Sequence, residues 1–96
     1  MIQTKQINEL LVGEIISNNI IDDIFNKLEN DLLDRKEITL DFSKVVFISV
    51  YFLERLENFA NRAKDLSVNI QILNTQPSIY KVFQVARVKN ILEVCS

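Results

Sequence analysis

Residues 41–56, DFSKVVFISVYFLERL, decide the reading of this chain. The apolar run Val45-Val46-Phe47-Ile48 reads as an extended segment. Behind it Phe52, Leu53, Leu56, Phe59, Ala60 and Ala63 recur at helical spacing, opposite Glu54, Arg55, Glu57, Asn58, Arg62 and Lys64. The stretch therefore runs from a buried strand, through a short turn, into an amphipathic helix over about 49–65. Ser49 stands where a helix N-cap belongs. The junction holds neither a glycine nor a nucleophile pair.

The same logic extends in both directions. Upstream, EITLDF alternates Ile38, Leu40 and Phe42 and reads as a strand over 37–42. Before it, Ile20, Ile21, Ile24, Phe25, Leu28 and Leu32 predict a helix over about 19–34. Asn18 and Asn19 offer its cap, and Asp22 and Asp23 are expected in its first turn, compensating the helix dipole. The first segment is open between two readings. Leu10, Val12, Ile15 and Ile16 can form a strand bent at Gly13, or INELLVGEII can wind as a helix. Downstream, Val68, Ile70 and Ile72 alternate as a half-buried strand. Pro77 suits the first position of a helix through Ala86. A last short strand is expected around Ile91 to Val94. Strands alternating with helices argue for an α/β or α+β sandwich in a single domain, 1–96, with sequential strands mostly parallel.

Composition narrows the function. The net charge is −2, so there is no overall basic footprint for nucleic acid. No apolar run approaches the ~18 residues that span a bilayer. The first residues lack a secretory pattern, and a cytoplasmic protein is expected. With no histidine, Ser-His and Cys-His pairs and His-based zinc sites are excluded. With one glycine there is no phosphate-cradling loop. No metal-ligand spacing is matched and no cofactor is expected. The lone Cys95 reads as a passive thiol. These features point to a protein that is not an enzyme.

LDFSKVVFIS at 40–49, Phe52-Leu53, Leu56, and NIQILNTQPSIYKVFQVARVKNILEV at 69–94 together resemble the STAS domain. GEIIS at 13–17 is similar to the turn before that family's first helix. The resemblance covers about residues 10–94. It implies a STAS-like α/β fold, with a mixed central sheet of about four to five strands and helices packed mainly on one face. It further implies a bacterial regulatory module related to anti-sigma factor antagonists. In those antagonists the second serine of Asp-Ser-Ser-Gly accepts phosphate from a partner kinase. Here Ser49 falls on the aspartate, Val50 on the first serine, Tyr51 on the phosphoacceptor and Phe52 on the glycine. The phosphorylatable serine is thus replaced, and the expected role is docking rather than phospho-switching.

The expected partner-binding residues are Asp41, Ser43, Lys44, Ser49, Val50, Tyr51 and Phe52. Asp41 is expected to shape the following loop by accepting its N–H groups. Ser49 and Tyr51 are the candidate phosphosites, with an N-cap the preferred reading of Ser49. Tyr51 stands between two readings, a rim contact for a partner or a ring packed on the neighbouring loop. If Phe52 joins the Leu56–Phe59 face, Tyr51 is the outward one. Arg35, Lys36, Lys44, Arg87 and Lys89 lie between elements and form either a scattered solvated surface or a patch for an acidic partner. By resemblance the partner is an anti-sigma factor or serine-kinase-type ATPase. The alternative is an accessory subunit that binds the ATPase or permease of a lipid or anion transporter. A monomer or weak dimer, not membrane-embedded, is expected.

Overall fold

A computed structural model describes residues 4–6, 13–15, 17–34 and 37–95. The elements run β1 (Thr4–Gln6), β2 (Gly13–Ile15), α1 (Asn18–Leu33), β3 (Glu37–Asp41), β4 (Val45–Ile48), α2 (Val50–Asp65), β5 (Ile70–Leu73), α3 (Pro77–Ala86) and α4 (Lys89–Val94). The α/β alternation expected from the sequence is present. β1, β3 and β5 lie side by side in that order, and β2 pairs with β4. Every strand pairing among the described residues is parallel, so no mixed pairing is seen among them. The β2–β4 register shifts between Gly13 and Glu14, the position where glycine marks an irregularity. Leu10, Val12 and Ile16 lie outside the described residues.

The helices form where the apolar periodicity puts them. α1 buries Ile21, Ile24, Phe25, Leu28 and Leu32, and α2 buries Phe52, Leu56, Phe59, Ala60 and Ala63. α1 starts one residue earlier than expected, with Ser17 rather than an asparagine in the cap position. That shift moves Asp22 and Asp23 out of the first turn, so they do not compensate the dipole there. α2 and α3 each end in a Schellman turn. Ser67 N–H donates to Lys64 O and Val68 N–H to Ala63 O; Arg87 N–H donates to Gln84 O and Val88 N–H to Phe83 O. The residue that turns the chain is left-handed in both cases, Ser67 at φ 57° and Arg87 at φ 56°.

Five of the six phenylalanines line up through the core. Phe59 meets Phe25 with ring centroids 5.9 Å apart, Phe25 meets Phe52 at 5.3 Å, Phe52 meets Phe42 at 6.3 Å, and Phe42 meets Phe83 at 6.2 Å. The tilted geometries suit ring quadrupoles, at about 0.5–1.5 kcal/mol per pair beyond area burial. The file joins α1, α2, the end of β3 and α3, with Phe52 at its middle.

One expected element is corrected. Residues 91–94 are not a strand but part of α4, and only Cys95 makes an isolated parallel bridge, to Ile72 of β5. The cause is distant in sequence. The Glu57 carboxylate, carried on α2, accepts the backbone N–H groups of Asn90 (3.2 Å) and Ile91 (2.9 Å) and the Asn90 side-chain amide (3.0 Å). An acid at a helix N-terminus satisfies donors that a short segment cannot satisfy itself. With the first turn closed, Val88 and Ile91 fall three residues apart and both point into the core.

Candidate docking rim

β3 delivers Asp41 to its carboxyl end, where the chain turns through Phe42, Ser43 and Lys44 into β4. The Asp41 carboxylate accepts the Ser43 N–H at 2.8 Å, the local turn that an aspartate followed by serine favours. The same oxygen takes the Asn74 side-chain amide at 3.4 Å, and Gln76 Nε2 donates to Ser43 O at 3.0 Å. The loop after β3 is therefore laced to the loop after β5. The backbone adds Phe42 N–H to Leu73 O at 2.9 Å. The Ser43 N–H, then the Ser43 hydroxyl, the Asn74 amide and the positive Lys44 hold the Asp41 carboxyl below its ordinary pKa, against a weaker opposing effect of burial. This is the loop-shaping role expected of Asp41.

β4 carries the chain from that loop to the start of α2. Its four residues span roughly 13 Å, so the Ser43–Lys44 loop and Val50 are no farther apart than that plus the turns. The sequence reads β4 as buried, and here the structure differs. Val45 is buried, but Val46 is 56% exposed and Phe47, the phenylalanine left out of the core file, is 44% exposed. A uniformly apolar run such as VVFI carries no signal that separates its inward from its outward members. Lys44, Val46, Phe47 and Val50 are consequently all exposed, with Val46 and Phe47 on alternate faces of the strand, and make the stretch 43–50 a strip of accessible surface.

At the head of α2, Ser49 accepts the Phe52 N–H on Oγ at 3.1 Å and caps the helix as expected. Val50 is 72% exposed. Tyr51 is half-buried, and its hydroxyl donates to Asp22 Oδ1 of α1 at 2.5 Å. A donor this close to an ionised carboxylate makes a charge-assisted bond. The bond to Asp22, followed by burial and the nearby negative charge, raises the Tyr51 pKa, while Arg55 opposes the shift. Arg55 also reaches Asp22, at 3.8 Å, and lies over the Phe25 ring, 5.3 Å from its centroid. Asp22 thus fastens the heads of α1 and α2 together. Sequence reasoning missed this, because a tyrosine and an aspartate 29 residues apart carry no local signature. Phe52, expected in the partner-binding set, is fully buried against Phe25 and Phe42, so a partner on the surface cannot touch it.

The structure therefore gathers Asp41, Ser43 and Lys44 into one laced loop and Ser49, Val50 and Tyr51 into one helix head, with β4 between them. Elsewhere, burial pushes the Cys95 thiol up and so disfavours the reactive thiolate, while the Thr75 side chain opposes that shift. Among the described residues no group of His, Cys, Asp or Glu side chains is placed to hold a metal ion, and no helix is long and apolar enough to cross a membrane.

The family model of the STAS domain matches residues 2–96. The chain is a STAS domain. A search of the curated proteins returned no match. Among solved structures, this STAS domain is similar to the Bacillus cell fate determinant SpoIIAA in its phosphorylated form, with a TM-score of 0.74 and 18% sequence identity. The match covers 97% of this chain and 80% of that one. At that identity the likeness concerns the fold, and it agrees with the family match over residues 2–96. The outward strip of this STAS domain lies on β4, the turn before it and the head of α2, the junction from which the sequence reading began.

Proposed function

We propose that this STAS domain is a non-enzymatic regulatory module that binds a protein partner through the strip at 43–50. The observation that carries the reading is the outward apolar run Val46, Phe47 and Val50. It sits above a capped helix and two loops tied to each other. Several large apolar side chains exposed within one short stretch of a small domain fit an interaction surface, and loops held together before binding lose little entropy on docking. By family resemblance the partner is an anti-sigma factor or a kinase-type ATPase in a bacterial cytoplasm.

In this reading position 51 replaces the family's phosphoacceptor serine. Its hydroxyl is already engaged by Asp22, an acid that would repel a phosphate placed there. The apolar neighbours Val50 and Phe47 would further disfavour a dianion by desolvation. Docking is then governed by the amount of protein and the state of the partner.

The test has two arms. The protein is incubated with a kinase-type partner and ATP, and its intact mass is measured; the reading expects no added phosphate, and stoichiometric phosphate on Ser49 or Tyr51 would overturn it. In the second arm Val50→Asp and Lys44→Glu are compared with wild type for recovery of the partner. Both variants should keep the wild-type melting temperature and lose the partner. Undiminished recovery by both would remove the strip as the docking face.

A further inference from the structure

We infer that the end of α3 and the start of α4 form a second docking site, for an acidic apolar segment of a protein partner. A surface groove of about 450 Å³ lies there, lined by Gln84, Arg87, Lys89, Leu92 and Glu93. Leu92 supplies the lining's apolar side chain, and on α3 Val82 and Val85 are also exposed, Val85 to 74%. The lining holds two cations, Arg87 and Lys89, against one acid, Glu93. From residue 66 to residue 92 the sequence contains no acidic residue and three cations, Lys81, Arg87 and Lys89. This departs from the rest of a chain whose overall charge is −2.

The cations here are unlike those of α2. Arg55, Arg62 and Lys64 each meet an acid, Asp22, Glu29 and Glu93 respectively. Among the described residues Lys81, Arg87 and Lys89 meet none. The acid in the lining, Glu93, is engaged by Lys64 at 3.5 Å. Arg87 is also an unusual choice for its backbone. It is left-handed, where glycine is the ordinary residue and a side chain costs roughly 1 kcal/mol. A long cation kept at such a position fits a use for its charge.

Charge and area together select the occupant. A second copy placed face to face on this groove would set Lys81, Arg87 and Lys89 against their own counterparts, which is repulsive. Two outward valines on a ten-residue helix bury too little to hold a membrane surface. A segment bearing acidic side chains beside leucine-like ones satisfies both the unpaired cations and the apolar wall. The site lies at the far end of α3 from the laced loops, roughly 15 Å along the helix, although α3 itself packs against β4.

The probe is a blocked peptide repeating Leu-Glu-Glu-Leu over about three helical turns, titrated into the isotopically labelled protein at low salt. Backbone amide shifts should map to residues 81–93, and the affinity should fall as salt is raised. Arg87→Gly should raise the melting temperature, by relieving the left-handed backbone, and still weaken the peptide. Together with Lys89→Gln the loss should be roughly five- to tenfold. Because one variant stabilises the fold, weaker binding cannot be ascribed to unfolding. Equal binding of the same peptide with glutamine for glutamate would overturn the inference. So would an unweakened double variant, shifts confined to other residues, or no shifts at all. Anionic phosphatidylglycerol vesicles that shift 81–93 while the peptide does not, or concentration-dependent self-association through the groove, would also overturn it.

Discussion

The molecule has two helix heads that are solved in opposite ways. The head of α4 is closed from within. Glu57 reaches across from α2 and takes the amides of Asn90 and Ile91, so this end acts as an internal joint. The head of α2 is closed by its own neighbour, Ser49, and the residue that follows, Val50, faces outward. A helix capped by a distant side chain is committed to the packing of its own fold. A helix capped locally has its first N–H groups met without a distant side chain, and here Val50 is left exposed while Tyr51 is held by Asp22. The fold thus ties one head down through a distant side chain and holds the other through its own N-cap.

The largest expected effect sharpens what lies under the outward head. Phe52→Ala removes the middle of the phenylalanine file and leaves a cavity between α1, α2 and β3. It should cost about 3–5 kcal/mol, read as a lower urea midpoint. A cost under about 1 kcal/mol would mean that Phe52 is not packed as described. Next, Glu57→Ala should unfasten the rear joint. Loss of a carboxylate that accepts from two backbone amides should cost about 2 kcal/mol. Hydrogen exchange at Asn90 and Ile91 should rise well before exchange in α2. If those amides stay protected, α4 is held by something other than Glu57. Ser49→Ala should cost only about 1 kcal/mol, with fraying confined to the first turn of α2. An effect on the front head as large as the Glu57 effect on the rear would erase the contrast.

The smallest expected effects are pH-dependent and have opposite signs. The Asp41 carboxyl is lowered in the fold, so its contribution to stability is present above the ordinary carboxylate value and is lost as pH falls through the folded one. Asp41→Asn should therefore melt below wild type at neutral pH and converge with it in strong acid. Tyr51 is raised, so its contribution is present below the ordinary tyrosine value and is lost as pH rises through the folded one. Ultraviolet titration should place Tyr51 ionisation higher in wild type than in Asp22→Asn. Coincident titration curves would show that the Asp22 clasp is absent in solution.

These contrasts also mark what could be read from the sequence. α1, α2, β3, β5 and α3 were legible because each writes its own period or cap: Ile21 to Leu32, Ser49 before Phe52, Ile38 and Leu40, Ile70 and Ile72, and Pro77. The Asp41 turn was legible for the same local reason. What escaped depends on partners far along the chain. α4 resembles a strand until Glu57, 33 residues away, closes its first turn. Asp22 looks like a dipole residue until Tyr51 claims it. Val46 and Phe47 look like core because the run VVFI is apolar throughout, and only the packing around β4 distinguishes Val45 from its neighbours.

The most direct test of the central claim is a footprint. The partner recovered with wild-type protein is added to the isotopically labelled chain, and the backbone amides that change are mapped. The account predicts that the changes centre on residues 43–50, with the first turn of α2 remaining helical and capped. Changes confined to residues outside this stretch, with 43–50 unmoved, would contradict it.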